Sequence, residues 1–326
     1  MVDAALDALA EDPGLEVLLT GDLAAINVRL DATDSKDRVA IEGRVATLAA
    51  DGVIAGDATP RQILKQGRGT SLWNALDQVA DGRAHACISA GNTVALMTLG
   101  VKLVGRLPGV QRPAFMSYIP RGGGLTGMLD LGANLNVDAN ALFQFGLMGS
   151  VVRAGRHGIG QAPRIGLLNV GHEDSKGDPV LREAHEQLRS SGLNYLGFIE
   201  GHDIFSDRVD VAVCDGFAGN LILKASEGLA DMLFAELRNT LASDLRARFG
   251  ALLARPALRK LLARLDPDKH NGAPLLGLNG VVVKSHGRAA RRATTFAILE
   301  AGREVEKNVP ERIAEAIQAH HGEDNP

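Results

Sequence analysis

The chain has 326 residues, 45% of them hydrophobic, which is enough to bury the core of one large α/β domain. A formal net charge of −4 gives the chain no overall attraction for nucleic acid, so nucleic-acid binding is not expected. Two cysteines, Cys87 and Cys214, cannot cross-link a chain of this length, and both fall in apolar strand patterns. We therefore expect two buried thiols and a reducing cytoplasm.

In chain order, the pattern first predicts an acidic amphipathic helix over 1–12, a strand over 15–20 and a helix that starts near Thr70. A strand, a polar turn and a helix then recur four times, at 85–89, 90–93 and 94–104; 128–131, 132–134 and 139–152; 164–170, 171–177 and 179–189; and 209–214, 215–220 and 221–237. This spacing predicts a doubly wound, mostly parallel sheet with helices on both faces. Because ligands bind at the carboxyl ends of such strands, we expect the four polar turns to gather along one edge.

The four turns are rich in glycine and asparagine. Glycine lets backbone amides approach a ligand, and the helix N-terminus that follows supplies unpaired N–H groups with a partial positive charge. Such turns suit phosphate or another oxyanion, with neutral donors from Asn92, Asn134, Asn169 and Asn220. The same residues also make ordinary turns and helix caps, so each turn taken alone is compatible with a structural role.

Residues 113–119 and 127–131 flank the loop 120–126, which predicts a hairpin in an otherwise parallel sheet. Residues 122–127 (GGGLTG) match the dinucleotide-binding pattern G-x-G-x-x-G, but that pattern binds a cofactor only between a strand and a helix. A second strand follows here, so we interpret these residues as a turn. The histidines show no metal-ligand spacing, and we expect neither a metal nor a cofactor.

A long helical stretch, 221–270, is predicted to form an appendage within a single catalytic domain that spans 1–326. Its second half, 245–265, carries six basic residues, no acidic residue and regularly spaced leucines, and we expect Pro256 to break it into two pieces. A basic amphipathic segment suits an anionic membrane or an acidic partner, but a helical hairpin at a dimer interface would show the same pattern. The chain closes with a predicted strand over 280–284 and helices near 291–307 and 311–320.

Six polar segments form a recognisable set: 89–93 (SAGNT), 129–134 (LDLGAN), 169–177 (NVGHEDSKG), 200–203 (EGHD), 214–220 (CDGFAGN) and 284–287 (KSHG). Together they resemble the bacterial phosphate acyltransferases of phospholipid synthesis. The resemblance implies transfer of a fatty acyl group from acyl carrier protein to inorganic phosphate, which gives acyl phosphate. It also implies a cytoplasmic homodimer that associates loosely with the membrane, and a fold similar to phosphotransacetylases and the isopropylmalate dehydrogenase group.

Two features depart from the family pattern. Family members open with a strand and an Asp-Ala-Met-Gly-Gly-Asp loop before the helix that begins here at Val2, and this sequence contains neither. Asn136 stands where the family usually has an acidic residue. An inactive or scaffolding dimer is therefore one alternative to the active enzyme, and a short-chain phosphotransacetylase that uses coenzyme A is another.

Acyl transfer to phosphate makes modest chemical demands. Phosphate is already partly dianionic at neutral pH, and a thiolate leaving group, with a thiol pKa of about 8.5, needs little help from an acid. What remains is to position the reactants and to stabilise the oxyanion on the thioester carbonyl. We assign phosphate or acyl binding to Ser89, Gly91, Asn92, Thr93 and Asn134, charge neutralisation to Lys176 and Lys284, donation to the carbonyl oxygen or thiolate to His286, and orientation of these groups to Asp215 and Asn220.

Overall fold

The computed structural model describes residues 1–33, 42–156 and 162–323. Within these residues the strands form a parallel two-stranded sheet, β1-β2, and an eight-stranded sheet in the order β3-β10-β9-β4-β5-β8-β6-β7. The strands are β1 (Val17–Gly21), β2 (Val45–Ala49), β3 (Ala86–Ser89), β4 (Ala114–Arg121), β5 (Gly124–Leu129), β6 (Ile165–Leu168), β7 (Tyr195–Ile199), β8 (Val211–Val213), β9 (Ala273–Leu276) and β10 (Val281–Lys284).

The helices that connect these strands pack on both faces of the large sheet. They are α1 (Val2–Glu11), α2 (Leu23–Asp31), α3 (Pro60–Gln66), α4 (Ser71–Ala80), α5 (Thr93–Leu99), α6 (Ala139–Arg156), α7 (Pro179–Ser190), α8 (Gly216–Ala242), α9 (Leu245–Leu265), α10 (Arg291–Glu306) and α11 (Val309–Glu323). A π-helical turn, Gly100–Val104, extends α5, and 3₁₀ turns cover Gly201–Phe205 and Pro267–His270. The mixed α/β fold with helices on both faces confirms the predicted class.

Alternation along β4 shows how the two faces are filled. Met116 and Tyr118 point into one core, which contains α6, α7 and α11, while Phe115 and Ile119 point into the other, which contains α3, α4 and α5. Side chains of a strand point alternately to opposite faces, so a strand covered on both sides carries apolar side chains on both faces. The predicted β4-β5 hairpin is confirmed, and the glycine-rich residues after Arg121 form its turn rather than a cofactor loop.

The prediction that all four polar turns share one edge is wrong. Strands β3 and β10 run parallel to each other, but three successive antiparallel pairings, β10 with β9, β9 with β4 and β4 with β5, separate them from β5, β8, β6 and β7. A single antiparallel strand between two parallel groups gives two reversals, so both groups would run in the same direction. Three reversals make the two groups run in opposite directions. The turn after β3 therefore lies at one edge, and the turns after β5, β6 and β8 lie at the opposite edge.

Helices α8 and α9, which cover most of the segment 221–270, form a long and largely exposed pair of helices. Among the described residues of α9, none is buried, and the helix continues through Pro256. The predicted break is wrong because the exposed carbonyl groups of the preceding turn can bond to water where proline removes the N–H donor. None of the helices in the described ranges is both long and apolar enough to cross a lipid bilayer.

A buried ion cluster joins the starts of β6 and β8 to the end of β4. The carboxylate of Asp210 accepts from Arg121 at 2.8 Å and from Arg164 at 2.9 Å. Burial raises the pKa of Asp210, but the hydrogen bonds from Arg164 and Arg121 outweigh it and bring the pKa to about 2. The cluster therefore favours the ionised carboxylate in the folded state.

Because the folded-state pKa of Asp210 is depressed, its contribution to stability should be fully present above pH 4 and lost as the pH falls toward about 2. Asp210→Asn should lower the urea midpoint at pH 7, and the difference from the wild-type protein should shrink as the pH approaches 2. Asp207→Asn is the matched control, since Asp207 is largely exposed and lies 3.4 Å from Arg121. A difference in midpoint that is independent of pH would contradict this account.

Candidate active site

Strands β3 and β10 end side by side, and the loops that follow them form the first half of the candidate site. Ser89 and Lys284 are paired in register, and the backbone N–H of Ser285 donates to the carbonyl oxygen of Ser89 at 2.9 Å. The hydroxyl of Ser89 accepts from the N–H of Gly91 at 3.1 Å. The structure thus brings together the predicted residues of these two turns: Ser89, Gly91, Asn92, Thr93, Lys284 and His286.

Asn92 is the N-cap of α5, and its side chain is engaged by the backbone. Its Oδ1 accepts from the N–H of Ala95 at 3.0 Å, while its Nδ2 donates to the carbonyl oxygens of Ala55 and Gly56 at 3.1 and 2.9 Å. No amide hydrogen is left for phosphate. We therefore give Asn92 a capping role, and the proposed phosphate contacts of this loop pass to backbone N–H groups in the first turn of α5, beginning with Thr93.

Lys284 carries a positive charge that no acidic side chain in the described part of the chain balances. Its ammonium group donates to the carbonyl oxygen of Ser285, and among the described residues no carboxylate lies within ion-pair distance of it. Lys224, on α8, pairs with Glu227 at 2.7 Å. Burial lowers the pKa of Lys284, and the nearby charge of Lys224 lowers it further. An anion bound beside Lys284 would relieve this repulsion.

The ring of His286 is exposed and held by its own loop. The backbone N–H of Arg288 donates to Nδ1 at 3.2 Å, so in the neutral ring the proton lies on Nε2. The ammonium of Lys224 lies 3.4 Å from that nitrogen and, being a donor itself, makes no hydrogen bond to it in this tautomer. His286 can therefore present an N–H donor close to the positive charge of Lys224, and both groups can stabilise a developing oxyanion or thiolate.

The second half of the site is built on Asp130, which directly follows β5 and is completely buried. Its carboxylate accepts from the backbone N–H groups of Phe115, Ala133 and Asn134 at 2.5 to 3.1 Å. The side-chain Nδ2 of Asn134 donates to the same carboxylate at 3.0 Å and to the carbonyl oxygen of Pro113 at 2.8 Å. Burial raises the pKa of Asp130, and these hydrogen bonds act in the opposite direction. Asn134 is thus fixed as part of the loop scaffold.

Helix α8 begins against this loop. The N–H of Gly216 donates to the carbonyl oxygen of Asn134 at 2.8 Å. Gly219 has no room for a Cβ, because that atom would overlap the carbonyl oxygen of Asp130. Glycine at these positions lets the first turn of α8 pack directly on the loop after β5.

Asp215 and Asn220 flank that first turn. Asp215 is the N-cap of α8, and its Oδ1 accepts from the N–H of Ala218 at 2.8 Å. Asn220 is exposed and packs over Gly132, whose φ of +107° favours glycine. Within the described part of the chain the amide of Asn220 makes no hydrogen bond, so it is available to a ligand, whereas Asp215 acts through the helix that it caps.

Helix α8 joins the two halves of the site. It starts at Asp215 at one edge, and nine residues later Lys224 reaches His286 in the loop after β10. At a rise of 1.5 Å per residue, the distance between the two positions is about 13 Å. The two sets of loops therefore lie within reach of one extended substrate.

Lys176 does not lie with Lys284. It belongs to the loop after β6, at the edge opposite the end of β10, and its ammonium pairs with Glu173 at 2.8 Å. Its carbonyl oxygen accepts from Nδ2 of Asn169 at 3.2 Å, which closes this loop on itself. Lys176 and Lys284, the two predicted charge neutralisers, therefore lie at opposite edges of the sheet.

Both cysteines are buried, as predicted. Burial raises the pKa of Cys87 to about 12 and also raises the pKa of Cys214, where the charges of Asp130 and Asp215 add to the effect. Neither thiol is a ready nucleophile at neutral pH, because the thiolate is the reactive form.

Sequence reasoning overlooked Lys224. Its signal was its spacing, because residues four apart share a helical face and Lys224 follows Asn220 by four. The sequence shows this spacing, but it does not show that α8 would pass the loop after β10.

The fold is that of the phosphotransacetylases. A branched-chain phosphotransacylase from Enterococcus faecalis matches with a TM-score of 0.53 at 14% identity, over 93% of this chain and 94% of that structure. A phosphotransacetylase from Streptococcus pyogenes matches with a TM-score of 0.52 at 16% identity, over 97% of this chain and 98% of that structure. At this level of identity the likeness shows the fold alone.

The family follows from closer relatives. The sequence model described as "Fatty acid synthesis protein" matches residues 1–312. The phosphate acyltransferases of Photobacterium profundum and Ectopseudomonas mendocina are 42% and 44% identical, over 98% and 96% of this chain and 92% of each relative. The chain belongs to this fatty acid synthesis protein family, and with its phosphate acyltransferase relatives it is an acyltransferase.

Asn92→Ala should lower the free energy of unfolding by about 1 kcal/mol, because it removes an N-cap and two ties to the loop at Ala55 and Gly56. It should also reduce phosphate-dependent turnover, because the N–H groups of the first turn of α5 lose their fixed direction. Asp22→Ala, which removes the cap of α2, should cost similar stability and leave turnover intact. Urea unfolding and initial rates measure both effects, and equal turnover in the two variants would remove this loop from the site.

Proposed function

We propose that the protein transfers a long-chain fatty acyl group from acyl carrier protein to inorganic phosphate, giving acyl phosphate for phospholipid synthesis. The observation that carries this proposal is the ammonium of Lys284, which has no carboxylate partner among the described residues and lies near Lys224 and the first turn of α5. Cations and unpaired N–H groups in one place form a site for a doubly charged anion.

The reaction needs no group beyond these. A phosphate oxygen attacks the thioester carbonyl carbon, a C–O bond forms, the C–S bond breaks, and the proton of hydrogen phosphate ends on the departing thiol. Lys284 and the backbone N–H groups hold the phosphate, and the Nε2–H of His286 stabilises the oxyanion or the thiolate. Asn220 can orient the thioester from the α8 side. Positioning and charge stabilisation supply the rate, in accord with the inert cysteines.

Exposed apolar side chains support a long acyl chain as substrate. One lies two to six residues after the end of each of the four neighbouring strands β5, β8, β6 and β7: Leu135, Phe217, Val170 and Phe205. Neighbouring strands lie about 4.8 Å apart, so this row extends for about 15 Å. Asn134 directly precedes Leu135, and Asp215 lies two residues before Phe217. These neighbours place the row next to the proposed thioester position.

The α8-α9 hairpin supports the proposed partners. Its exposed leucines and six basic residues in α9 would suit the acidic surface of acyl carrier protein, an anionic membrane or, on the apolar side, a second copy of the chain. A homodimer in the cytoplasm with loose contact to the membrane is the assembly that we propose.

Production of acyl phosphate is the direct test. Purified protein is incubated with palmitoyl-acyl carrier protein and inorganic phosphate, and acyl phosphate is trapped with hydroxylamine and quantified. Lys284→Met should reduce the rate by about 100-fold or more, the scale of removing one oxyanion-stabilising group. Product from acetyl-coenzyme A but not from the carrier-bound substrate would favour the short-chain alternative, and no product from either would favour the scaffolding alternative.

Val170→Asn should raise the KM for palmitoyl-acyl carrier protein by about tenfold, because it removes one aliphatic contact that the bound acyl chain would bury. The KM for the butyryl substrate should not change, since a short chain does not reach this residue. Val53→Asn is the matched control, as both valines are 80% exposed and Val53 lies after β2. Equal effects on both chain lengths, or an effect of Val53→Asn, would contradict the proposed acyl row.

A further inference from the structure

Asn271 connects the candidate site to two other parts of the fold. It lies between the 3₁₀ turn that follows α9 and the start of β9, and it is half-buried. Its Nδ2 donates to Oγ of Ser285 at 2.9 Å and to the carbonyl oxygen of Ala293 at 2.8 Å. Its Oδ1 accepts from the backbone N–H of His286 at 3.1 Å. One side chain thus uses both amide hydrogens and its oxygen on three partners.

These contacts fix the loop that carries the His286 ring. Ser285 is completely buried, and its backbone N–H is already bonded to Ser89, so one side of the loop is tied to β3. Asn271 ties the other side, directly at the backbone of His286 and, through Ala293, to α10. The ring itself is held by Arg288 of the same loop. The position of Nε2 therefore depends on the bond between Asn271 and His286.

We infer that Asn271 is a positioning residue for acyl transfer, which holds the His286 ring so that its Nε2–H meets the reacting thioester beside Lys224. This inference rests on the proposed function. Asn271 touches no substrate and acts through His286. Alanine would leave the N–H of His286 and the hydroxyl of Ser285 without their partner. Only a side chain with a donor and an acceptor at this length can hold all three groups.

A displaced His286 should affect the transition state more than substrate binding. If Nε2–H stabilises charge that appears only during the reaction, its misplacement lowers kcat and leaves KM almost unchanged. Misplacement by about 1 Å can cost up to about 100-fold in rate. A residue that only supports the fold would instead lower the amount of folded protein and leave the kcat of the folded fraction intact.

The test compares Asn271→Ala with Asn279→Ala in the full-length protein. Asn279 is the matched control, because its Nδ2 also donates to a backbone carbonyl oxygen, that of Val104 at 3.2 Å. Asn279 lies just before the start of β10, whereas the loop of His286 follows its end. Steady-state kinetics with palmitoyl-acyl carrier protein and phosphate give kcat and both KM values for folded protein. Long-range ¹H–¹⁵N NMR of ¹⁵N-histidine protein reports the tautomer of His286, assigned with His286→Gln.

We expect Asn271→Ala to lower kcat by at least tenfold, to leave both KM values within about twofold and to shift the His286 ring nitrogens. Asn279→Ala should change none of these. Asn271→Asp keeps the acceptor for the backbone N–H of His286, so its kcat should lie above that of Asn271→Ala. If the alanine variant fails to fold, the aspartate variant is compared with the wild-type protein instead.

Wild-type kcat and unshifted His286 signals in folded Asn271→Ala would overturn the inference, as would equal kcat values for the alanine and aspartate variants. Failure of the wild-type protein to form acyl phosphate would refute the proposed function instead. In that case the NMR comparison would still show whether Asn271 sets the His286 ring.

Discussion

The first turn of α8 packs so closely on the loop after β5 that Gly219 leaves no space for a Cβ beside the carbonyl oxygen of Asp130. This contact fixes the start and direction of a 27-residue helix. Since a helix advances by a constant rise, the position of Lys224 beside His286 follows from where α8 begins. The candidate site is therefore assembled from two opposite sheet edges by one helix, and its geometry depends on a contact between small residues far from the phosphate.

The electrostatics of the site follow from the same geometry. Asp130 is balanced by hydrogen bonds from its own loop, and Lys224 is balanced by Glu227, so most charges are paired locally. Lys284 is the exception, because β10 brings it to the site without an acidic neighbour in the described residues. Burial and the nearby charge of Lys224 both disfavour the ammonium form of Lys284. A bound phosphate would stabilise that form and so relieve an unfavourable interaction of the folded state.

Sequence patterns predicted the elements better than their directions. The β-branched runs gave β3, β6, β8 and β10, and the paired runs around the glycines gave the β4-β5 hairpin, since these signals are local. Strand β9 was not predicted, because the Ala-Pro-Leu-Leu of Ala273–Leu276 has no β-branched residue and contains a proline that cannot donate. Because β9 is antiparallel to both of its neighbours, β4 runs parallel to β10, and the β4-β5 hairpin is the pairing that reverses the direction of β5, β8, β6 and β7.

The sequence predicts candidate residues for the site, but it does not separate their roles. The sequence could not separate the capping role of Asn92 from ligand binding, because the same amide serves either purpose and only its partners decide. Lys176 and Lys284 were both predicted to neutralise charge, yet the strands that carry their loops end at opposite edges of the sheet. Lys224 and Asn271 were overlooked because their relevance arises from long-range contacts with the loop after β10.

The measurement that most directly tests whether α8 joins the two halves of the candidate site is a crystal structure with a non-hydrolysable acyl phosphonate. We predict that the phosphonate oxygens contact Nζ of Lys284 and the first turn of α5, while the acyl chain runs along α8 past Asn220 toward Phe217. A phosphonate bound at Lys176, with no contact to Lys284 or His286, would contradict the account.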